Sequence, residues 1–409
     1  MSLNSIYLML RLVFGVVSSK VVAITVGAEG IALLGNFRNF LTTTQAVSSL
    51  GFYEGIVKYI SEYRKDFNKI STVLSTALSL GFIGSIILAV GIVLFNDYLG
   101  AALLNDVSNY KMAFYIMAVS LPFYSADVVL LAFLNGIDKQ QRLILIRIIG
   151  HVSSVLLVVF LVYYLKLKGA LLAIVISEGF LLFITYWFVK QWLPSLNLKF
   201  QISGMAYKLV PYALITVLSA IIVPLYSYGI REYLTLNLGL ESAGFWEAMN
   251  RISSYYYIFI SSLMALYVLP SLSKANTAEQ FRAVVFDFYK SVLPFFIIGL
   301  VGVYLCRDII ISILFTEDFA QVSELFLWQE LGDVFRTLSL VMAYQFLAKK
   351  MFVHYVLFEI GFAALYYFLS LYLIDTQGII GANMAYFIAY VCHFTAVVMV
   401  FRKPLLNLK

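Results

Sequence analysis

LRLVFGVVSSKVVAITVGAEGIALLGNFRNFLTTTQAVSSL, residues 10–50, holds two apolar runs joined by a short turn, GAEG at 27–30. Each run is about twenty residues long, the length a helix needs to cross a hydrocarbon layer. Lys20 and Arg38 lie inside them, nine residues either side of Glu29. A basic side chain near a bilayer centre costs about 2.5–3.5 kcal/mol on insertion scales, so it needs a partner or a purpose. No acidic residue lies within four positions of either. The stretch reads as a helical hairpin whose two charges belong to a cavity that receives an anion.

The rest of the chain extends this pattern. Of 409 residues, 62% are hydrophobic and 12% charged, and the mean hydropathy is +0.92. A soluble domain carries roughly twice that charged fraction. The expected fold is an all-α polytopic membrane protein of twelve spans: 5–27, 31–57, 70–95, 111–135, 143–165, 169–190, 207–230, 243–269, 288–306, 325–347, 352–374 and 378–401. The segment 307–320 is apolar but too short to cross, and reads as an interfacial helix. Residues 1–10 hold no Lys or Arg and no A-x-A-like site follows, which argues against a cleaved signal. Cys306 and Cys392 lie far apart, and His151, His354 and His393 form no ligand motif. No disulfide framework, metal site or cofactor is expected.

The net charge of +6 does not call for a nucleic-acid partner, because loop asymmetry accounts for it. Seventeen Lys and Arg fall in the even-numbered loops and the C-terminal tail; five (Lys111, Lys166, Lys168, Arg231 and Arg307) fall in the odd-numbered ones. That bias places the even loops and both termini in the cytoplasm. A weak internal repeat accompanies it. GAEG at 27–30 matches GLES at 239–242, an offset of 212, and Arg38 and Arg251 follow at nine and ten residues from the respective Glu. Two six-helix bundles, 1–195 and 196–409, are expected to be related by a pseudo-two-fold axis along the membrane normal, with a site where the halves meet.

Helix rise places Lys20 and Arg38 about 13 Å from the turn, near the midplane, and Arg251 and Arg336 at a similar depth. Glu247 lies four residues before Arg251, and Glu330, Asp333 and Arg336 share one ridge, so local pairing is the alternative for Arg251 and Arg336. Arg11 and Arg147 lie near cytoplasmic helix ends, where a long side chain snorkels to headgroups. Arg11 reads as an anchor, and Arg147 as either an anchor or an inner-gate residue. The intramembrane acids Asp127, Glu178, Glu330 and Asp333 are candidates for gating or for coupling to H⁺ or Na⁺, with pairing to nearby Arg as the alternative. Tyr226, Tyr228 and Tyr255 to Tyr257 are placed to stack on sugars or to pack between helices, and Pro122 and Pro224 to kink their spans.

LLGNFRNFLTTTQAVSSLGFYEGIVKYISEYRKD (33–66), YVLPSLSKA (267–275) and LFLWQELGDVFR (325–336) resemble the Wzx-type flippases, the lipid III flippase and O-antigen translocase group. The resemblance implies membership of the multidrug/oligosaccharidyl-lipid/polysaccharide exporter superfamily and a V of two six-helix bundles. It further implies transport of an undecaprenyl-diphosphate-linked glycan, such as an O-antigen unit or enterobacterial common antigen, across the bacterial inner membrane. A polymerase or chain-length regulator of the same pathway would be a partner. Lys20 and Arg38 occupy regions matching basic residues that engage the diphosphate in related flippases; Arg251 lies on no shared motif. The alternative within the superfamily is a cation-coupled multidrug antiporter, against which Lys20 and Arg38 argue. A membrane enzyme such as a polymerase is disfavoured by the short loops, which lack convergent acid/base or nucleophilic groups.

Overall fold

The computed structural model describes residues 3–106 and 108–406. Helix accounts for 89% of the described residues, and no strand occurs among them. In hydrocarbon each backbone N–H and C=O must find its partner within the protein, and a helix supplies these partners within a single segment. The α-helices run in order α1 (Leu3–Ser48), α2 (Tyr53–Glu62), α3 (Phe67–Leu94), α4 (Asn96–Leu104), α5 (Lys111–Gly136), α6 (Gln140–Val189), α7 (Met205–Leu238) and α8 (Leu240–Leu263). They continue with α9 (Leu269–Lys274), α10 (Ala278–Ser291), α11 (Leu293–Leu305), α12 (Arg307–Leu314), α13 (Phe326–Ala348), α14 (Phe352–Gln377), α15 (Ile379–Val400) and α16 (Arg402–Leu406).

Nine helical stretches among the described residues are long and apolar enough to cross a membrane. Two of them, Ile6–Glu62 and Gln140–Val189, hold 57 and 50 residues. Straight helices of that length would reach roughly 75–85 Å, against a hydrocarbon core of about 30 Å. Each is interrupted instead, α1 at Gly27 (φ 64°, ψ −168°) and α6 at Lys166 (φ 49°, ψ −129°). Two further breaks, Gly239 (φ 89°, ψ 159°) and Gly378 (φ 64°, ψ −147°), lead into α8 and α15. Subtraction pairs them: 239 minus 27 and 378 minus 166 are both 212. The offset read from GAEG and GLES therefore recurs at a second turn that had no sequence signature. Three residues past that turn the backbones close up in both copies. A Cβ on Gly169 would meet the carbonyl of Leu161, and one on Gly381 the carbonyl of Leu373.

The chain forms two compact units, one of Met1–Val26 and Leu33–Pro224, the other of Gly27–Ala32 and Leu225–Lys409. The division falls within α7, at Pro224. In the first unit, α2, α3, α5 and α6 enclose a core of Ile56, Ile60, Val73, Leu74, Phe133 and Ile146. In the second, α8, α10, α13 and α15 pack around Tyr257, Met264, Phe288, Met342, Phe346 and Val397. A second cluster there joins Ile230, Trp246, Tyr366 and Tyr386. The apolar segment after α11 is not one helix over 307–320. It consists of the eight-residue α12 and a 3₁₀ segment, Glu317–Leu325, with the buried Phe315 and Phe319 rings stacked at 4.8 Å. Both are too short to cross.

Lys166 occupies a backbone region that favours glycine, the residue its counterpart Gly378 supplies. Such strain amounts to about 1–3 kcal/mol, while added glycine freedom in the unfolded chain offsets part of it. Lys166→Gly is expected to raise stability by about 1 kcal/mol, and Gly378→Ala to lower it by a similar amount or more, checked by thermal unfolding of the purified protein. A separate prediction concerns Asp66, which caps α3. Its carboxylate accepts from the Lys69 backbone N–H at 3.1 Å and lies 3.2 Å from the Lys69 ammonium, which holds its pKa below the usual carboxylate range. A depressed folded pKa contributes stability above the unfolded value, and this contribution disappears as pH falls through the folded value. Asp66→Asn should therefore narrow the difference in melting temperature between neutral and acidic buffer.

Candidate functional site

Because α1 breaks at Gly27, Lys20 lies seven residues before the break and Arg38 eleven after it, rather than nine on either side of a turn at Glu29. Counted along the helices, the two charges lie about 10 and 16 Å from it. Both are half-buried in the first unit. Arg251 and Arg336 belong to the second unit, so the four basic residues divide two and two. Arg251 is buried on α8, and Arg336 projects from α13 with 35% of its side chain exposed.

The acids divide in the same way. In the first unit Asp127 is buried on α5 and Glu178 half-buried on α6, and both Glu178 and Arg147 act electrostatically on Asp127. Arg147 is exposed. In the second unit Glu330 and Asp333 are buried on α13. One Glu330 carboxylate oxygen has no hydrogen-bond partner among the described residues.

Asp333 organises a polar network inside the second unit. Its Oδ2 accepts from Ser253 Oγ at 2.7 Å and from the Tyr256 hydroxyl at 2.6 Å, both from α8. Its Oδ1 accepts from the Tyr386 hydroxyl of α15 at 2.8 Å. Gln329, one turn earlier on α13, donates from Nε2 at 3.5 Å and accepts from Asn383 at 2.8 Å. A fully buried carboxylate is tolerable only when such donors replace its lost hydration. These groups therefore bind α8, α13 and α15 together, and the charge requires all three helices.

Arg336 is attached to this network at its edge. Its Nη1 lies 3.8 Å from Asp333 Oδ1 and donates to the Tyr386 hydroxyl at 3.3 Å. Its guanidinium lies 3.8 Å from the Tyr257 ring centroid and 6.0 Å from that of Tyr390. Local pairing with Asp333 is thus present but long, and cation–π contact supplies the closer support. Tyr256 and Tyr257, read as candidates for sugar stacking, instead serve Asp333 and Arg336. Tyr226 packs edge-on against Phe362 and Tyr366.

The Glu247 carboxylate is taken by a residue that the sequence had put in an outer loop. Arg231 lies within α7, is 2% exposed, and pairs with Glu247 at 2.5 Å while facing the Trp246 ring at 5.4 Å. The spacing of Glu247 and Arg251 at i, i+4 gave no sign of this, because Arg231 approaches from the preceding helix. The signal available was that Arg231 falls one residue beyond the expected end of span 7, in a chain whose charges are scarce.

A model of a family described as polysaccharide biosynthesis protein matches residues 2–276. The chain is 26% identical over 391 residues to a lipid III flippase of Escherichia coli (strain K12), covering 93% of this chain and 92% of that protein. Among solved structures, it resembles an inward-facing multidrug resistance transporter of the MATE family in the MOP superfamily, with a TM-score of 0.81 at 14% identity, covering 96% and 95% of the two chains. It also resembles the lipid II flippase MurJ in an inward closed conformation, with a TM-score of 0.73 at 16% identity, covering 99% and 89%. The structural matches establish the shared fold.

Asp333→Ala would leave three hydroxyl donors without their acceptor, at a cost of roughly 3 kcal/mol. Asp333→Asn keeps an acceptor oxygen and is expected to recover more than half of that loss. Thermal unfolding of the two variants compares them; equal melting temperatures for Asp333→Ala and the parent protein would contradict the network's structural weight.

Proposed function

The chain belongs to the polysaccharide biosynthesis protein family, and we propose that it is a flippase for an undecaprenyl-diphosphate-linked oligosaccharide. The observation that carries this reading is the match to a lipid III flippase across 93% of this chain and 92% of that protein. The cargo would be an O-antigen unit or the lipid III of enterobacterial common antigen, moved from the cytoplasmic to the periplasmic leaflet of a bacterial inner membrane by alternating access. The chain acts as a transporter and not as an enzyme.

Twelve crossings fit this reading. Nine stretches qualify by length and apolarity, two of them are interrupted at Gly27 and Lys166 and count twice, and α13 is long enough but carries Glu330, Asp333 and Arg336. The bias of Lys and Arg puts both termini in the cytoplasm. The two six-helix bundles are 1–195 and 196–409, and the offset of 212 at two turns supports their being repeats.

Lys20, Arg38, Arg251 and Arg336 are the groups assigned to the diphosphate. Each can supply charge-assisted hydrogen bonds to phosphoryl oxygens. Arg336 suits the role because rings hold its guanidinium while a third of the side chain stays open. Asp127, Glu178, Glu330 and Asp333, with Arg147, are the groups through which H⁺ or Na⁺ would couple or a gate would close. A polymerase or chain-length regulator of the same pathway would receive the product.

The drug-antiporter alternative shares the fold, so transport has to separate the two. Expression in a host lacking its own lipid III flippase should restore glycan export. Hydrogen bonds to charged groups contribute about 1.5–3 kcal/mol, so Lys20→Ala with Arg38→Ala should reduce export at least tenfold at equal protein abundance. Intact export in that double variant would remove Lys20 and Arg38 from the site. Drug resistance without any glycan export would favour the antiporter.

A further inference from the structure

Tyr7 and Arg11 are four residues apart on α1, and Arg147 and His151 are four apart on α6, so each pair shares a helix face. The two faces meet. The Tyr7 hydroxyl lies 3.3 Å from His151 Nε2, and the two rings stack at 5.7 Å with 27° between their planes. Tyr7 is buried, His151 half-buried, and Arg11 and Arg147 are exposed. All four belong to the first unit. The charges of both Arg11 and Arg147 reach His151. None of the ion pairs among the described residues includes Arg11 or Arg147.

α6 begins at Gln140, so Arg147 lies seven residues inside it, and Arg11 lies eight residues inside α1. Both are about 10–12 Å along their helices. With the two helices running in the same direction, as the charge bias places them, Arg11 and Arg147 sit one turn either side of the Tyr7–His151 contact. Two guanidinium groups and an imidazole make a set of donors suited to phosphoryl oxygens, with Tyr53 and Asp127 also within reach of Arg147. Arg11 is nine residues from Lys20, on the opposite face of a straight helix, so this set is not an extension of the one assigned above.

We propose that Arg11, Arg147 and His151, steadied by Tyr7, form a second binding site on the first unit, for the phosphate of a lipid headgroup. The ligand chemistry is a phosphoryl group anchored to a hydrocarbon tail, carried either by a polyprenyl diphosphate or by an anionic phospholipid. Only the first source rests on the flippase reading; in that case the site receives the diphosphate before Lys20 and Arg38 do.

The test uses the full-length protein in nanodiscs of phosphatidylcholine, with binding of a polyprenyl diphosphate and of phosphatidylglycerol each followed by native mass spectrometry. Arg11→Gln with Arg147→Gln is expected to weaken one of the two lipids about tenfold, the loss of one to two charged hydrogen bonds. Loss for the polyprenyl diphosphate identifies the cargo carrier as ligand, and loss confined to phosphatidylglycerol identifies a bilayer phospholipid. Unchanged binding of both lipids to the Arg11, Arg147 double variant overturns the proposal. If the double variant fails to fold, Tyr7→Phe and His151→Gln replace it, each expected to weaken the same lipid about threefold; no change in either overturns the proposal equally. Movement of a glycan-bearing lipid by the wild-type protein in vesicles is measured separately. Its absence would defeat the flippase reading and leave the phosphate site to be decided by binding.

Discussion

Charge in hydrocarbon is the constraint on which the rest of this structure depends. An ion withdrawn from water needs donors or acceptors that replace its hydration, and in a helical membrane protein those must come from neighbouring helices. The second unit meets this demand twice. Arg231 of α7 and Glu247 of α8 neutralise each other beneath Trp246. Asp333 of α13 draws hydroxyls from α8 and α15. Each arrangement makes the position of one helix a condition for the stability of a charge on another. Helix packing in this unit is therefore set by specific polar contacts as well as by the apolar clusters around Met342 and Trp246.

The second constraint is how a helix can reverse without exposing its backbone. The breaks at Gly27 and Gly239 carry positive φ with extended ψ, which glycine alone adopts at little cost. Lys166 and Gly378 repeat the arrangement, followed by Gly169 and Gly381 against the carbonyls of Leu161 and Leu373. Residues so unlike as Lys166 and Gly378 hold corresponding places because the backbone path, not the side chain, is what the two halves share.

The helical class, the long apolar helices and the first repeat turn were readable from the sequence because apolar length and Gly-x-Glu spacing are local signals. The Asp333 network was not. Its three hydroxyl donors lie 53 to 80 residues away, and in sequence Tyr256 and Tyr386 look like any interfacial or packing tyrosine. Arg231 was misplaced for a simpler reason: α7 continues to Leu238, eight residues past the point where its apolarity ends. A buried ion pair allows a helix to carry polar residues through a region where hydropathy alone predicts a loop. The same blindness hid the Tyr7–His151 contact, which joins residues 144 positions apart.

Aligning the halves on the offset of 212 shows where they have diverged. Lys20 corresponds to Glu232 and Arg147 to Glu359, each a reversal of sign, while Asp333 and Arg336 correspond to Leu121 and Tyr124. Arg38 corresponds to Asn250, and Asn39 to Arg251, so the two halves carry a basic residue here shifted by a single position. A one-residue shift turns a helical side chain by about 100°, which is enough to change the face it presents. The shared skeleton thus carries two different charge patterns: Lys20, Arg38 and Arg147 on half-buried or exposed positions in the first unit, and Asp333 held by hydroxyls in the second. The second pattern commits its main carboxylate, Asp333, to neighbouring helices, so that moving those helices changes the surroundings of Arg336.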